Sequence, residues 1–168
     1  SPGHASSALG QIQATLAIFT AGAAMRTVLL ASDHAGFEMK KTLLAHLESR
    51  GFDVVDHGTH STESCDYPVL AHKLCEAVKH TGCTGILICG TGIGVSITAN
   101  RHAEIRAALC FTELHAQLAR RHNDANVLCL GARMTGTELA GAIVDAFLEA
   151  RFEGGRHQRR LDMIQQRT

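Results

Sequence analysis

Cys89 closes an apolar run, ILIC, and is followed at once by GTGIG, which sets Gly90, Gly92 and Gly94 on alternate positions. Glycines after an apolar strand commonly cradle a phosphate, so the nucleotide motifs come first. A GxGxxG loop from Gly90 needs a third glycine at position 95, where Val95 stands, and one from Gly92 needs it at Ile97. No Lys-Ser or Lys-Thr follows, and a Cys-x5-Arg phosphatase loop would need arginine at 95. What remains is a turn that presents several backbone N–H groups near a helix start, a good cradle for an anion or oxyanion. A cysteine in an apolar run is usually a buried filler. At a strand end beside a helix N-terminus, however, a thiol's pKa can fall from about 8.5 towards neutrality. Such a base suits reversible proton abstraction next to a carbonyl, and the enediolate formed would carry its charge on oxygen, where the N–H groups can hold it.

Three other groups of residues bear chemistry. Asp33-His34 follows a second apolar run. Asp33 could simply cap the next helix, but a place beyond a strand's carboxyl end is where ligands bind in open α/β sheets. Arg156 and Arg160, in GGRHQRR, stand four apart, hence on one helix face. Paired guanidinium groups there can grip a phosphate dianion, and Arg133 can join them. RRHNDAN (Arg120–Asn126) reads first as a basic helix end.

These residues need a scaffold, and its composition is informative. Hydrophobic residues make up 45% and aromatics only 4%, so the core is built from Ala, Val, Ile and Leu. Acidic and basic residues balance at 16 each, which excludes a field that would attract nucleic acid or an acidic membrane. The six cysteines form no CxxC, and several lie in apolar runs; free thiols in a reducing compartment, hence the cytoplasm, are expected. The eleven histidines form no HExxH and no Cys/His zinc spacing, so no metal is expected. Ser1–Ala24 lacks any Lys, Arg, Asp or Glu. Its apolar stretch is too short for a membrane span and has no basic region before it, so it is read as an extension outside the fold. Residues 25–168 are read as one domain with a C-terminal helix.

From Met25 onwards strand and helix patterns alternate. Thr27–Ser32, Phe52–Asp56, Thr84–Cys89, Ile105–Cys110 and Asn126–Gly131 read as strands. Between them lie an amphipathic helix from Phe37 to about Gly51, one from Asp66 to about His80 with Pro68 in its first turn, a short one over Gly94–Arg101, and Thr112–His122. Thr135–Arg151 and a last basic helix after Gly154-Gly155 end the chain. Short connections and strict alternation predict a three-layer α/β/α sandwich with a five-stranded parallel sheet, Rossmann-like in outline.

The set ASDHAGF, DYP, ILICGTGIGVSITAN, RRHNDANVLCLGAR and EGGRHQRR, in that order from Met25 to about Ile164, resembles type B ribose-5-phosphate isomerases, a family that includes galactose-6-phosphate isomerase subunits. Each element is modest alone, and the set is specific. The resemblance implies interconversion of ribose 5-phosphate and ribulose 5-phosphate through a cis-enediolate, as in the non-oxidative pentose phosphate pathway, without cofactor or metal. It implies Cys89 as the base between C2 and C1, Thr91 as the hydroxyl that shuttles the proton between the oxygens, and Gly90, Gly92 and Gly94 as the anion hole. It implies His122 as the ring-opening group with Asp33 nearby, Tyr67 and Asn123 as sugar contacts, and His34, Arg133, Arg156 and Arg160 as the phosphate clamp. One branch of the family has serine for the cysteine and a glutamate after the third glycine; here the cysteine is present and that place is Val95.

His122 precedes the fifth strand while Cys89 follows the third, so the two start on opposite sheet edges, separated by a strand length of roughly 17 Å. A second subunit is the simplest way to join them, and the resemblance implies a homodimer with shared sites, or dimers paired into a tetramer. Two rival readings stay open. One is a six-carbon sugar phosphate, galactose or allose 6-phosphate, as substrate. The other is a non-catalytic sugar-phosphate-binding regulator, against which the thiol speaks, since binding alone needs no base.

Overall fold

The computed structural model describes residues 22–165. Five strands, β1 (Thr27–Ser32), β2 (Asp53–Asp56), β3 (Thr84–Cys89), β4 (Ala107–Leu109) and β5 (Val127–Gly131), form one all-parallel sheet in the order β2-β1-β3-β5-β4. Among the described residues, six helices accompany it besides the short helical segment before β1: α1 (Phe37–Ser49), α2 (Tyr67–Thr81), α3 (Ile93–Ala99), α4 (Glu113–Asn123), α5 (Thr137–Glu149) and α6 (Arg156–Gln165). A single 3-10 turn, His34–Gly36, joins β1 to α1.

Strand alternation sends side chains to the two faces by turns. Val28, Leu30, Ile86, Ile88, Leu128 and Leu130 point to one side and pack with Leu43 and Leu47 of α1, Ala116 of α4 and Ile143 and Phe147 of α5. Leu29, Ala31, Leu87, Cys89, Val127 and Cys129 point to the other and pack with Ala71, Leu74 and Val78 of α2 and Val95 and Ala99 of α3. The middle strands are thus covered on both faces, as their unbroken apolar runs require. Gly85 lets α2 approach: a Cβ built there would lie 2.6 Å from Leu74 Cδ2.

Local chemistry sets the boundaries. Thr112 Oγ1 accepts from the His115 N–H at 3.1 Å and starts α4. Gly82, at φ 73°, ends α2 in the left-handed region that favours glycine. Several elements are shorter than their patterns predict, and for two of them side chains show why. Helix α3 stops at Ala99 because the Asn100 amide leaves the helix, accepting from Ala107 N (2.9 Å) and donating to Ala107 O (3.0 Å). Strand β4 begins at Ala107, since the Arg106 N–H is taken by Asn126 Oδ1 at 2.8 Å. Lys40 is wholly buried and donates to Asp56 Oδ1 at 2.6 Å and to the Thr59 carbonyl, tying α1 to the turn after β2.

Of the N-terminal segment, residues 1–21 lie outside the described residues. Residues 22–26 form a helical turn into β1, with Thr27 Oγ1 donating to Ala23 O at 2.9 Å and Ala24 against the α2/α3 side of the core. Among the described residues, no helix is long and apolar enough to cross a membrane.

Candidate active site

The carboxyl ends of β1, β3 and β5 open into a cleft of ≈ 440 Å³. Register puts them level: Ser32 pairs with Ile88 and Cys89 with Gly131. Asp33 and His34 reach the cleft from β1, Cys89, Gly90, Thr91 and Gly94 from β3 and the turn after it, Arg133 from beyond β5, and Tyr67 from the first residue of α2. Eight of the residues singled out in the sequence are therefore brought together. Gly92 lies beneath them in the same turn. Ala35, Ile93 and Ile97 also line the cleft, and the sequence reading missed them. Ile93 and Ile97 share one face of α3 by their i, i+4 spacing, and both are more than half exposed.

Each polar group is fixed by a neighbour. Cys89 is 4% exposed, and the Gly92 N–H donates to its Sγ at 3.2 Å. Gly92 makes this possible at φ 77°, a conformation that costs a residue with a Cβ about 1 kcal/mol or more. Thr91 Oγ1 accepts from the Ile93 N–H at 3.2 Å. Asp33 is buried and its Oδ1 accepts from the Gly36 N–H at 3.1 Å, so it does cap the turn that follows, while still lining the cleft. His34 Nδ1 accepts from the Cys65 N–H at 3.2 Å, which leaves the proton on Nε2, ready to donate. Arg133 lies across Gly90: a Cβ at that glycine would come within 3.0 Å of Nη1. Tyr67 lies across Gly94 in the same way, at 2.4 Å from such a Cβ.

The chain does not bring His122, Asn123, Arg156 or Arg160 to this cleft. Helix α4 runs back along the sheet, so His122 lies near the start of β5, about 13 Å of strand away from its carboxyl end. There it stacks on His157 (ring centroids 4.3 Å apart) and stands 3.9 Å from Glu153 Oε1. Arg156 and Arg160 flank this second cluster on α6, and Asn123 lines a groove with Leu118, Leu161 and Ile164. Glu153 and His157 carry no local signal in the sequence, because His122 joins them only through the packing of α4 against the C-terminal arm. The Arg121 guanidinium, bonded to Glu153 Oε2 at 2.6 Å, holds the carboxyl below its usual range. Desolvation, then the charge of Arg156, holds His157 below the usual imidazole value.

Cys75, Cys83, Cys110 and Cys129 are buried in the two cores, away from the cleft. All six cysteines are free. Burial pushes Cys75 up to about 11 and Cys110 up to about 12, and Cys129 well above its ordinary value. They are inert filler of the two cores.

The family profile described as Ribose/Galactose Isomerase matches residues 28–164. The chain is 50% identical over 141 residues to ribose-5-phosphate isomerase B of Escherichia coli, covering 83% of this chain and 95% of that one. Among solved structures it superposes on a ribose 5-phosphate isomerase of Thermotoga maritima with a TM-score of 0.81 at 50% identity, covering 83% of this chain and 97% of that one. It superposes equally on ribose-5-phosphate isomerase B of Mycoplasma genitalium with bound ribulose-5-phosphate, at a TM-score of 0.80 and 46% identity, covering 82% and 93%. With nearly the full length of these relatives and its own β1, β3 and β5 ends aligned around one thiol, the chain belongs to the ribose/galactose isomerase family.

Proposed function

We propose that this protein interconverts ribose 5-phosphate and ribulose 5-phosphate, with Cys89 as the base. The observation that carries the reading is the Cys89 thiol at the floor of the cleft, held by the Gly92 N–H and ringed by Asp33, His34, Thr91, Tyr67 and Arg133. The thiolate takes the proton from C2 of the open-chain aldose, and the C2–H electron pair becomes the C1–C2 double bond of a cis-enediolate. The N–H groups of the turn from Gly90 to Gly94 hold its charge. Thr91 moves the hydroxyl proton between O2 and O1, and the Cys89 thiol returns its proton to C1, so the enzyme ends as it began. His34 and Arg133 hold the phosphate from this side of the site.

His122, Asn123, Arg156 and Arg160 enter from a second copy of the chain in a cytoplasmic homodimer. That arrangement accounts for their distance from Cys89 within one chain: His122 opens the furanose ring with Asp33 nearby, Asn123 contacts the sugar and the two arginines complete the phosphate clamp. The test is turnover of five- and six-carbon sugar phosphates by wild type and Cys89→Ala. The reading expects a preference for the five-carbon substrate and loss of most turnover in a folded Cys89→Ala. Near-normal activity of that variant would overturn it.

A further inference from the structure

The cluster around Glu153 is more than a support for His122. One ring nitrogen of His122, a carboxylate oxygen of Glu153 and one ring nitrogen of His157 all lie within 4.8 Å of one another. The carboxylate is aimed by its own bonds: Oε2 is taken by Arg121, while Oε1 faces His157 at 3.6 Å and His122 at 3.9 Å. The backbone fixes it further, since the Glu153 N–H donates to Arg121 O at 3.0 Å. His157 is 6% exposed, and its Nε2 has no hydrogen-bond partner. A buried ring nitrogen left without a partner costs free energy, and this one points at two further donor atoms.

We propose that His122, Glu153 and His157 form a site for a zinc-class divalent cation. Two imidazoles and one carboxylate, with a fourth position open, is a donor set suited to zinc or cobalt. Arg121 and the charges of Arg156 and Arg160 stand beside it and oppose any divalent cation, so affinity rests on the two imidazoles, which favour zinc or cobalt over magnesium. The two rings lie nearly parallel, at 12°, and each has its Nε2 within 4 Å of the Glu153 carboxylate. Closing on one ion requires one ring to tilt about its Cβ–Cγ bond. His122, whose side chain is 37% exposed, has room to do so, and His157 is held by packing. A cation bound here occupies the lone pair that His122 needs for ring opening, so it inhibits turnover; this second statement rests on the function proposed above.

The test is a Co²⁺ titration of the full chain without a histidine tag, read by the visible d–d absorption and by equilibrium dialysis, with Zn²⁺ as competitor and inhibitor. Wild type and Cys89→Ser should each bind one Co²⁺ per chain without a sulfur-to-metal charge-transfer band. Glu153→Gln and His157→Gln should bind at least tenfold more weakly and need correspondingly more Zn²⁺ for inhibition. Equal affinity in wild type and Glu153→Gln would overturn the site, as would loss of binding in Cys89→Ser. Glu153 is exposed, so this comparison stands even where His157→Gln fails to fold. Binding that leaves turnover unchanged would uphold the site and remove ring opening from His122.

Discussion

Gly131 ends β5 directly beneath the turn that follows Cys89. A Cβ built on it would lie 2.5 Å from the Thr91 carbonyl oxygen, 2.6 Å from its carbon and 2.9 Å from its Cα, where ordinary contact begins at 3.4 Å. Gly131→Ala therefore demands a shift of about 0.9 Å, and it must come from backbone, since no flexible side chain is in the way. The two segments are laced by Ala132 N–H to Cys89 O (2.8 Å) and Arg133 N–H to Gly90 O (2.9 Å), so β5 cannot retreat and the 90–92 turn has to move. Misplacement of reacting groups by about 1 Å costs roughly 100-fold in rate, or about 2.7 kcal/mol of barrier. Overpacking itself costs about 1–3 kcal/mol of stability. Steady-state kinetics on ribose 5-phosphate should show kcat falling roughly 100-fold with KM changed far less, while urea unfolding reports the smaller stability loss. Gly136→Ala is the control, because nothing lies within 4 Å of a Cβ there. A folded Gly131→Ala with kcat within twofold of wild type would refute the claim that the turn's position makes the anion hole.

Arg156→Ala should raise KM for the sugar phosphate by tenfold or more with kcat little changed; an unaltered KM would count against the clamp. Asp56→Ala strands the wholly buried Lys40 ammonium with only the Thr59 carbonyl, and should cost about 3 kcal/mol or more in urea unfolding. His57 is held below the usual imidazole value by desolvation first and by Lys73 second. The unfolded chain thus binds the proton first as pH falls through about 6.5, so this residue's share of stability is present above that pH and lost below it. His57→Gln should flatten the acid limb of a thermal-denaturation profile, and an unchanged slope between pH 7 and 5 would speak against the assignment.

Much of this molecule is legible in its sequence. The runs TVLLAS and TGILIC match β1 and β3 residue for residue, because strands covered on both faces show as unbroken apolar segments. The alternation of elements gave the parallel three-layer architecture, and strand ends located Asp33 and Cys89. Boundaries failed where side chains rather than periodicity decide them: the Asn100 amide ends α3 early and Asn126 delays β4. The strand ends pointed to the residues that line the cleft, and His122, expected on the opposite sheet edge, lies there within the chain. The grouping of Glu153 and His157 with His122 was not legible, since no local pattern reports that the C-terminal arm docks on α4 through Arg121 and Glu153.

The bonds that lace residues 89 and 90 to residues 132 and 133 extend the β3–β5 ladder past both strand ends. The turn carrying the thiol is thus a continuation of the central strand pair rather than a separate surface loop. Its amides share the cooperative unit of the core, and opening it means breaking the most interior hydrogen bonds of the sheet. Local fluctuation at the thiol is then coupled to global unfolding. Mobility needed to admit a sugar phosphate falls instead to the side chains across the cleft, Tyr67 and Arg133, both exposed and both resting on glycines.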